Sequence, residues 1–391
     1  LPGIILACDK VTSAMIHSLL PYKEQYTQAN AGAVALNVED GFVQSRYANT
    51  SLIFGRTLSG PYLGGARYQG LKTSHALILG KNIGLAKGYL DFIRRHGAAD
   101  LLEVHGRCQV ASYLARKRPD LKIGLYLHND PREMKGSDTP AKRHGLLQRM
   151  AVIFCVSDYL KSCFLDGVGA SKAEISKIKI IPIAVDRAAT TPPQKDKLIT
   201  IIGRMVPEKG MLEAAQAMAK VLPKYPDWQV KFIGAKRFED ANPSQYEQKV
   251  ADALAPIRHQ SDMTGFISRT ETKQLQSASA IILAPSQWQE PAGRVVVEAL
   301  ATGAALITTR RGGIPEYAEG RAVILDQGDA DELADALERM LGDAVWRKSW
   351  QNKAWADYPF AIADMASHLD DARKAAMDYD QRSHDDKGEA S

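Results

Sequence analysis

Cysteine is scarce in this chain: four in 391 residues, Cys8, Cys108, Cys155 and Cys163, with no CxxC pair among them. So few in so long a chain exclude a disulfide framework and fit a reduced, cytoplasmic setting, with each thiol acting as a small packing residue. No apolar run approaches the roughly 20 residues that span a bilayer, so integral membrane insertion is not expected. Near the start, Ile5-Leu6-Ala7-Cys8 has the shape of a lipoprotein cleavage site. No basic leader precedes it and it is too short for a signal peptide, so a lipid anchor is not expected either. Metal-ligand spacing is absent: no HxxxH or paired acidic DxD-like motif stands out. Neither GxGxxG nor a Walker Lys-Ser/Thr ending is present, which weighs against dinucleotide dehydrogenases and phosphate-loop ATPases.

What is present is ordinary globular composition, 45% hydrophobic and 24% charged, at a length that suits two domains. The net charge of +5 hides an asymmetry: residues 1–190 carry about 25 Lys and Arg against 15 Asp and Glu, and the excess is absent from the rest. Clusters such as Arg94-Arg95-His96, Arg116-Lys117-Arg118 and Lys142-Arg143-His144 read either as solvated helix faces or as surfaces for anionic lipid, phosphorylated acceptors or nucleic acid. Aromatic residues are not interleaved with them as an RNA-stacking surface requires, so nucleic acid is not an expected partner.

Short apolar runs alternate with helical periodicity along the whole chain, the pattern of parallel sheets covered on both faces by helices. In the first half, residues 14–20, 51–54, 101–104, 123–127, 152–156 and 178–181 read as strands, and 32–47, 74–95, 108–118 and 141–149 as helices. A segment with Pro192-Pro193, from 182 to 196, reads as a linker. A second alternation follows, with strands at 198–202, 229–234, 263–266, 281–284, 305–308 and 322–324. Helices are expected at 211–222, 244–254, 329–341, 345–355 and 362–378, and a polar tail from 379. The fold class is therefore α/β with two Rossmann-like domains.

The chemistry-bearing residues gather in strand-to-helix turns, which share one crevice in doubly wound sheets. The turn Asn30-Ala31-Gly32-Ala33 would let a ligand approach the backbone at a helix start. Gly203-Arg204-Met205-Val206-Pro207-Glu208-Lys209-Gly210 places two cations in one short loop, which suits a diphosphate. In Glu290-Pro291-Ala292-Gly293-Arg294-Val295-Val296-Val297-Glu298, one carboxylate precedes a helix and the other lies inside it. Amides of Gly293, Arg294 and Val295 between them can cap a phosphate, and carboxylates accept from sugar hydroxyls. Arg310-Arg311-Gly312-Gly313-Ile314-Pro315-Glu316 forms another Gly-rich turn, with its arginines expected on a polar rim. His105 and His128 each sit where a strand exits into a loop, as hydrogen-bonding or crevice-lining residues.

The Arg204/Lys209 loop, the Glu290 and Glu298 pair and the Gly312-Gly313-Ile314-Pro315-Glu316 turn together resemble the retaining family-4 glycosyltransferases, glycosyl transferases group 1, of the GT-B fold. The resemblance is strongest over 198–326. It implies two Rossmann-like domains facing a central cleft: an acceptor domain at 1–190, a donor domain at 191–345 and helices at 346–378 crossing back to the first, before the tail at 379–391. It implies transfer of a hexose from a nucleotide diphosphate sugar, UDP-sugar before GDP-sugar, to a glycan or lipid-linked acceptor in envelope polysaccharide or lipopolysaccharide synthesis. Arg204 and Lys209 would bind the diphosphate, with Gly203 in the same loop. Glu290 would bind the hexose, Glu298 the ribose, and Gly293, Arg294 and Val295 the donor around them. Asn30 and Gly32 would approach the sugar phosphate, His128 would reach the sugar, and the base would lie near Thr264 to Ile267. No metal or cofactor is implied beyond the sugar nucleotide, and domain closure is expected around it. Ala292 stands where the family commonly has Phe, and Ile183-Ala184-Val185-Asp186 where it has Asn-Gly-Val-Asp. A cytoplasmic enzyme in peripheral contact with anionic membrane is the expected setting. A nucleotide-sugar epimerase of the same fold and a non-catalytic sugar-nucleotide-binding subunit are the alternatives.

Overall fold

Runs such as Ile16–Leu19 (β1), Leu101–His105 (β4) and Ile123–Leu127 (β5) are buried at every position, as strands covered on both faces must be. In the computed structural model of the chain, residues 14–63, 67–73, 80–236 and 243–379 are described. The remaining strands of the first sheet are Ser51–Arg56 (β2), Arg67–Leu71 (β3), Val152–Cys155 (β6) and Ile178–Ile180 (β7). Their spatial order is β3-β2-β1-β4-β5-β6-β7. β1 pairs in parallel with both β2 and β4, so the chain leaves β1 toward one edge and later returns to build the other. Helices Ala33–Val43 (α1), Lys81–His96 (α2), Cys108–Lys117 (α3) and Pro140–Arg149 (α4) accompany this sheet, with Asp158–Leu165 (α5) and Lys172–Ile175 (α6) between β6 and β7.

The second sheet comprises Asp196–Ile202 (β8), Gln229–Ile233 (β9), Ser261–Gly265 (β10), Ser279–Ala284 (β11), Ala305–Thr309 (β12) and Val323–Leu325 (β13). Its order is β10-β9-β8-β11-β12-β13 and every pairing is parallel. Helix Met211–Val221 (α7) lays Ala214, Ala215, Met218 and Val221 into a core with Ile199, Ile201, Trp228 and Phe232, the i, i+4 stripe of a core-facing helix. Gln245–Leu254 (α8), Arg269–Ala278 (α9), Arg294–Thr302 (α10), Ile314–Ala318 (α11), Ala330–Gly342 (α12), Ala344–Ala356 (α13) and Ile362–Asp378 (α14) complete the chain.

Most strands and helices lie within one or two residues of the bounds the hydrophobic pattern predicts. β3, α5 and α6 were not predicted. Arg67-Tyr68-Gln69-Gly70-Leu71 has too few apolar residues to read as a strand and is held as one by its pairing with β2. The helix expected at 74–95 is described only from Lys81, and residues 74–79 lie outside the described ones, as do 1–13 with Cys8 and the tail beyond Tyr379.

The chain forms two compact units whose boundaries are not sequential. One contains the segments ending at Phe154, Leu165–Lys179 and the chain from Ala363; the other contains Cys155–Phe164 and Ile180–Ile362. This corrects the expected limits at 190 and 345. α13 does not return to the first half. It packs on β12, α10 and α12 of the second unit, and the Gln351 side chain donates to Ala280 O at 3.0 Å. The element that joins the first unit is α14.

α14 is held there by charge as well as packing. The Arg373 guanidinium, 1% exposed, donates to both oxygens of Glu103 on β4, at 2.8 and 3.0 Å, and to Gly41 O and Asp370. Ser18, opposite Glu103 on β1, donates to the same carboxylate at 3.0 Å. Burial pushes the Glu103 carboxyl up, but Arg373 and His105 outweigh it and hold it well below the usual carboxylate range. Arg373→Met removes one partner and leaves Glu103 charged and enclosed, for which about 3–5 kcal/mol of stability loss is expected. Chemical denaturation should show that loss, with part of it recovered in Arg373→Met/Glu103→Gln; a loss under about 1 kcal/mol would contradict the assigned role.

Candidate functional site

In the second unit the strand order reverses between β8 and β11, and the loops leaving these strands are pressed together. Gly210 has φ +69°, and a Cβ there would lie 1.9 Å from Pro285 O, so only glycine lets the loop after β8 meet the loop after β11. Ser286 Oγ and Gln287 N both donate to Glu208 O, at 3.1 and 2.9 Å, and fasten the two loops. The contact brings the Lys209 ammonium onto Glu290 Oε1 as an ion pair, and Ser286 donates to that same oxygen at 2.9 Å.

A third loop, after β12, supports Glu290 from behind. Gly313 N donates to Glu290 O at 2.7 Å and Gly312 N to Gln289 Oε1 at 2.6 Å. Gly312 has φ +55°, and a Cβ on it would stand 2.1 Å from Glu290 O. Thr309 Oγ1 donates to Ser286 O at 2.7 Å, which ties the β12 end to the same loop. Glu290 is buried, at 8% exposure, while Arg204 is exposed and its guanidinium has no ion-pair partner among the described residues.

The first-turn amides of α10 add to this. Its N-cap, Gly293, has φ +87° and supplies no side-chain cap to the first turn. Glu298, one turn on, accepts from Arg294 Nε at 3.0 Å and Gln276 Nε2 at 3.3 Å. Gly203 follows β8 and donates to Ile233 O at 3.0 Å; Ile267 is half-buried two residues before α9. Trp288 lies with its ring 6.0 Å from Lys209 Nζ, and its buried Nε1 has no hydrogen-bond partner among the described residues. The second unit thus carries an exposed guanidinium, an ammonium paired with a carboxylate, and a second carboxylate on α10. Such a set binds a polyanion together with hydroxyl groups.

The other arginines expected on a polar rim serve the turn itself. Arg310 pairs with Asp326 at 2.9 Å, and Arg311 donates to the Asp326 and Gln327 carbonyls at 3.0 Å. Glu316 accepts from Asp158 N and Tyr159 N, both at 2.7 Å, and so caps α5. Ala292 is buried, and Asp186 accepts from Ile362 N at 2.9 Å, so the segment differing from Asn-Gly-Val-Asp anchors the start of α14.

In the first unit, His105 Nδ1 and His128 Nε2 are 3.1 Å apart, and both rings stack with Tyr126. Burial, then His105 and Arg107, hold the His128 imidazole well below its usual range, so it is neutral at physiological pH. Its Nδ1 is buried with no partner among the described residues. Asn30 is exposed and Gly32 is the N-cap of α1. The helix start that was expected to receive a ligand phosphate is occupied by the chain's own Glu24, whose Oε1 accepts from Ala35 N at 3.1 Å. A Cβ on Gly32 would lie 2.6 Å from that oxygen. Burial raises the Glu24 carboxyl, against the amides of Ala35 and Gly32 and the charge of Arg107. Among the described residues no group of three or more His, Cys, Asp and Glu side chains is gathered as metal ligands would be, and no helix is long and apolar enough to cross a membrane.

The profile of the glycosyl transferases group 1 family matches residues 182–356. That stretch is a group 1 glycosyltransferase domain. Over 270 residues the chain is 27% identical to YtcC of Bacillus subtilis, which carries a provisional glycosyltransferase name; the alignment covers 64% of this chain and 65% of YtcC. It is 22% identical to the lipopolysaccharide 1,2-N-acetylglucosaminetransferase of Salmonella typhimurium, over 62% of this chain and 64% of that one. The chain therefore spans just under two thirds of the length of these curated relatives. Among solved structures, Anabaena HepE in complex with UDP superposes with a TM-score of 0.73 at 16% identity, covering 92% of this chain and all of HepE. That likeness shows the GT-B fold.

Sequence reasoning missed Ser286, Gln276 and Glu24. Ser286 precedes Glu290 by four residues in a loop, where no periodicity marks a partner, and the other two come from distant elements. Gly312→Ala should cost about 1–3 kcal/mol, because it adds a steric clash to a left-handed backbone. Gly320, with φ +74° and nothing within 4 Å of a Cβ, is the control: Gly320→Ala carries only the backbone cost, about 1–2 kcal/mol. Equal losses in thermal denaturation would show that the Gly312 contact does not matter.

Proposed function

We propose that this chain is a retaining glycosyltransferase that moves a hexose from a nucleotide diphosphate sugar to a hydroxyl of a glycan or lipid-linked acceptor. The observation that carries the reading is the Lys209–Glu290 pair, formed where the loops after β8 and β11 meet inside the stretch that matches the group 1 glycosyltransferases. UDP-sugars are the favoured donors and GDP-sugars the second choice; the UDP bound by HepE, a protein of the same fold, supports that order. The lipopolysaccharide transferase among the relatives supports an acceptor in envelope polysaccharide or lipopolysaccharide synthesis.

In the proposed reaction the bond between the anomeric carbon and the donor phosphate oxygen breaks, and a bond to the acceptor oxygen forms on the same face. The departing diphosphate takes the acceptor proton. Charge grows on the leaving phosphate, and Arg204, Lys209 and the Arg294 and Val295 amides are the groups placed to stabilise it without a metal. Lys209 and Glu290 neutralise each other before the donor arrives. On binding, the diphosphate takes Lys209, and Glu290 is released to accept from hexose hydroxyls, with Ser286 holding its carboxylate in place. Glu298, fixed by Arg294 and Gln276, is assigned the ribose. The nucleobase is assigned to the edge near Ile267. His128 is assigned a sugar hydroxyl, on the strength of its neutral ring and unpartnered Nδ1.

Arg204→Ala and Lys209→Ala should each lower kcat by about 10²–10³-fold, the range for removal of one stabiliser of developing charge. Thermal-shift titration with UDP-, GDP- and ADP-sugars should raise Tm for one of them in the wild type. Wild-type turnover in both variants would overturn the assignment, and release of a new free sugar nucleotide without acceptor would favour an epimerase. The proposed setting is cytoplasmic with peripheral contact to anionic membrane, resting on the basic excess of residues 1–190. Co-sedimentation with anionic vesicles at low salt and release at high salt is the expected result, and indifference to lipid charge would refute it.

A further inference from the structure

The basic stretches that stand out in the sequence are neutralised in part. Arg94 pairs with Asp91, Arg118 with Asp120 and Lys142 with Asp138, and Arg143 is buried against the carbonyls of Ser137 and Asp166. A further group of cations gathers at one cleft of the first unit. A cleft of about 420 Å³ is lined by Lys23 after β1, Lys81 at the start of α2, Arg107 after β4, and Glu133 and Lys135 after β5. None of these four cations forms an ion pair with a carboxylate among the described residues, and Glu133 is the one carboxylate in the lining.

Two helices begin at this cleft. α2 and α3 contribute Asn82 and Gln109 of their first turns to the wall. Neither helix has a side-chain cap or an acidic residue in its first turn. Their N-terminal ends therefore add positive potential to that of the four side chains. Four cations against one lining carboxylate leave a net positive charge, and an anion relieves the repulsion among them. The volume is that of a small-molecule site. Arg107 also ties the cleft to His128, because Gly106 beside it sits with its would-be Cβ 3.8 Å from His128 Cδ2.

We infer that this cleft binds a phosphate group carried by the acceptor, so that the substrate taking the sugar is a phosphorylated glycan or glycolipid. The inference rests on the transferase reading for the word acceptor, though the anion site stands on its own charge. Lys23, Lys81, Arg107 and Lys135 hold the phosphate oxygens, and Asn82 and Gln109 meet adjoining hydroxyls. A soluble sugar phosphate and a polyprenyl diphosphate sugar present the same chemistry to these residues.

Titration calorimetry on the full chain at low salt, with glucose 6-phosphate, pyrophosphate and glucose as probes, tests it. The phosphorylated probes should bind and glucose should not. Lys23→Ala and Lys81→Ala should each weaken binding about tenfold, as loss of one charge-assisted contact does. Glu133→Gln should strengthen it, and added salt should weaken it. UDP affinity, followed through tryptophan fluorescence, should be unchanged in these variants. Binding of glucose 6-phosphate no tighter than glucose, or insensitive to both lysine variants, overturns the inference. Failure of UDP to bind while the phosphate results hold would instead sink the transferase reading and leave the anion site standing. With donor present, turnover of sugar phosphate in solution identifies a soluble acceptor, and turnover confined to micellar polyprenyl diphosphate sugar identifies a lipid one. Equal rates with unphosphorylated acceptors overturn it.

Discussion

The proposed donor site depends on one constraint of parallel pairing. β8 and β11 lie side by side, yet the chain leaves β8 toward β9 and leaves β11 toward β12, so the outgoing loops diverge and open a gap above the strand ends. Backbone packing then decides what the gap contains. Gly210 against Pro285 O and Gly312 against Glu290 O bring three loops closer than any side chain allows. That closeness joins Lys209 to Glu290, holds Ser286 on the same carboxylate and leaves Arg204 unpaired at the rim. A donor site built this way needs little from neighbouring surfaces, and its chemistry is carried by backbone geometry that glycine makes available.

The two principal ion pairs of the molecule illustrate how burial divides structure from function. The Arg373 and Glu103 side chains are each 1% exposed, and no ligand can replace either partner without leaving a charge in a water-free interior. Lys209 is 26% exposed and Glu290 11%, and Ser286 stays bonded to the carboxylate when the ammonium moves away. A partly hydrated pair of this kind is worth about 0–1 kcal/mol, which a diphosphate of higher charge readily exceeds. The same pairing chemistry thus fastens α14 in one unit and keeps a ligand's place in the other.

Legibility in the sequence follows the distance between interacting residues. Strands buried on both faces produce apolar runs, so the fold class could be read directly, and the nine-residue loop between Ala284 and Arg294 keeps its charged and polar groups contiguous in sequence. β3 could not, because a strand at the sheet edge is defined by its partner β2 rather than by its own residues. α13 and α14 are both amphipathic, and nothing in their spacing tells which sheet each covers; Gln351 with Ala280 and Arg373 with Glu103 settle that through contacts more than 70 residues apart. Glu24 escaped for the same reason, since a carboxylate in a loop gains its role only when α1 presents free amides to it.

Charge in the first half shows how a linear count misleads. Adjacent Lys and Arg residues draw the eye, but carboxylates two to four residues away can reach them on a helix or turn, and Asp91, Asp120 and Asp138 do so. Lys23, Lys81, Arg107 and Lys135 are spread over 112 residues of sequence and form no ion pair with a carboxylate among the described residues, so each looks unremarkable until the strand ends assemble them. The family profile is confined to the second half, at residues 182–356, where the proposed donor would set one recurring demand, a diphosphate next to hydroxyls. The first unit meets whatever demand its acceptor makes, through side chains on separate loops of a parallel sheet. Its specificity is therefore written in three-dimensional charge balance, where the unpaired cations carry the information and the paired ones do not.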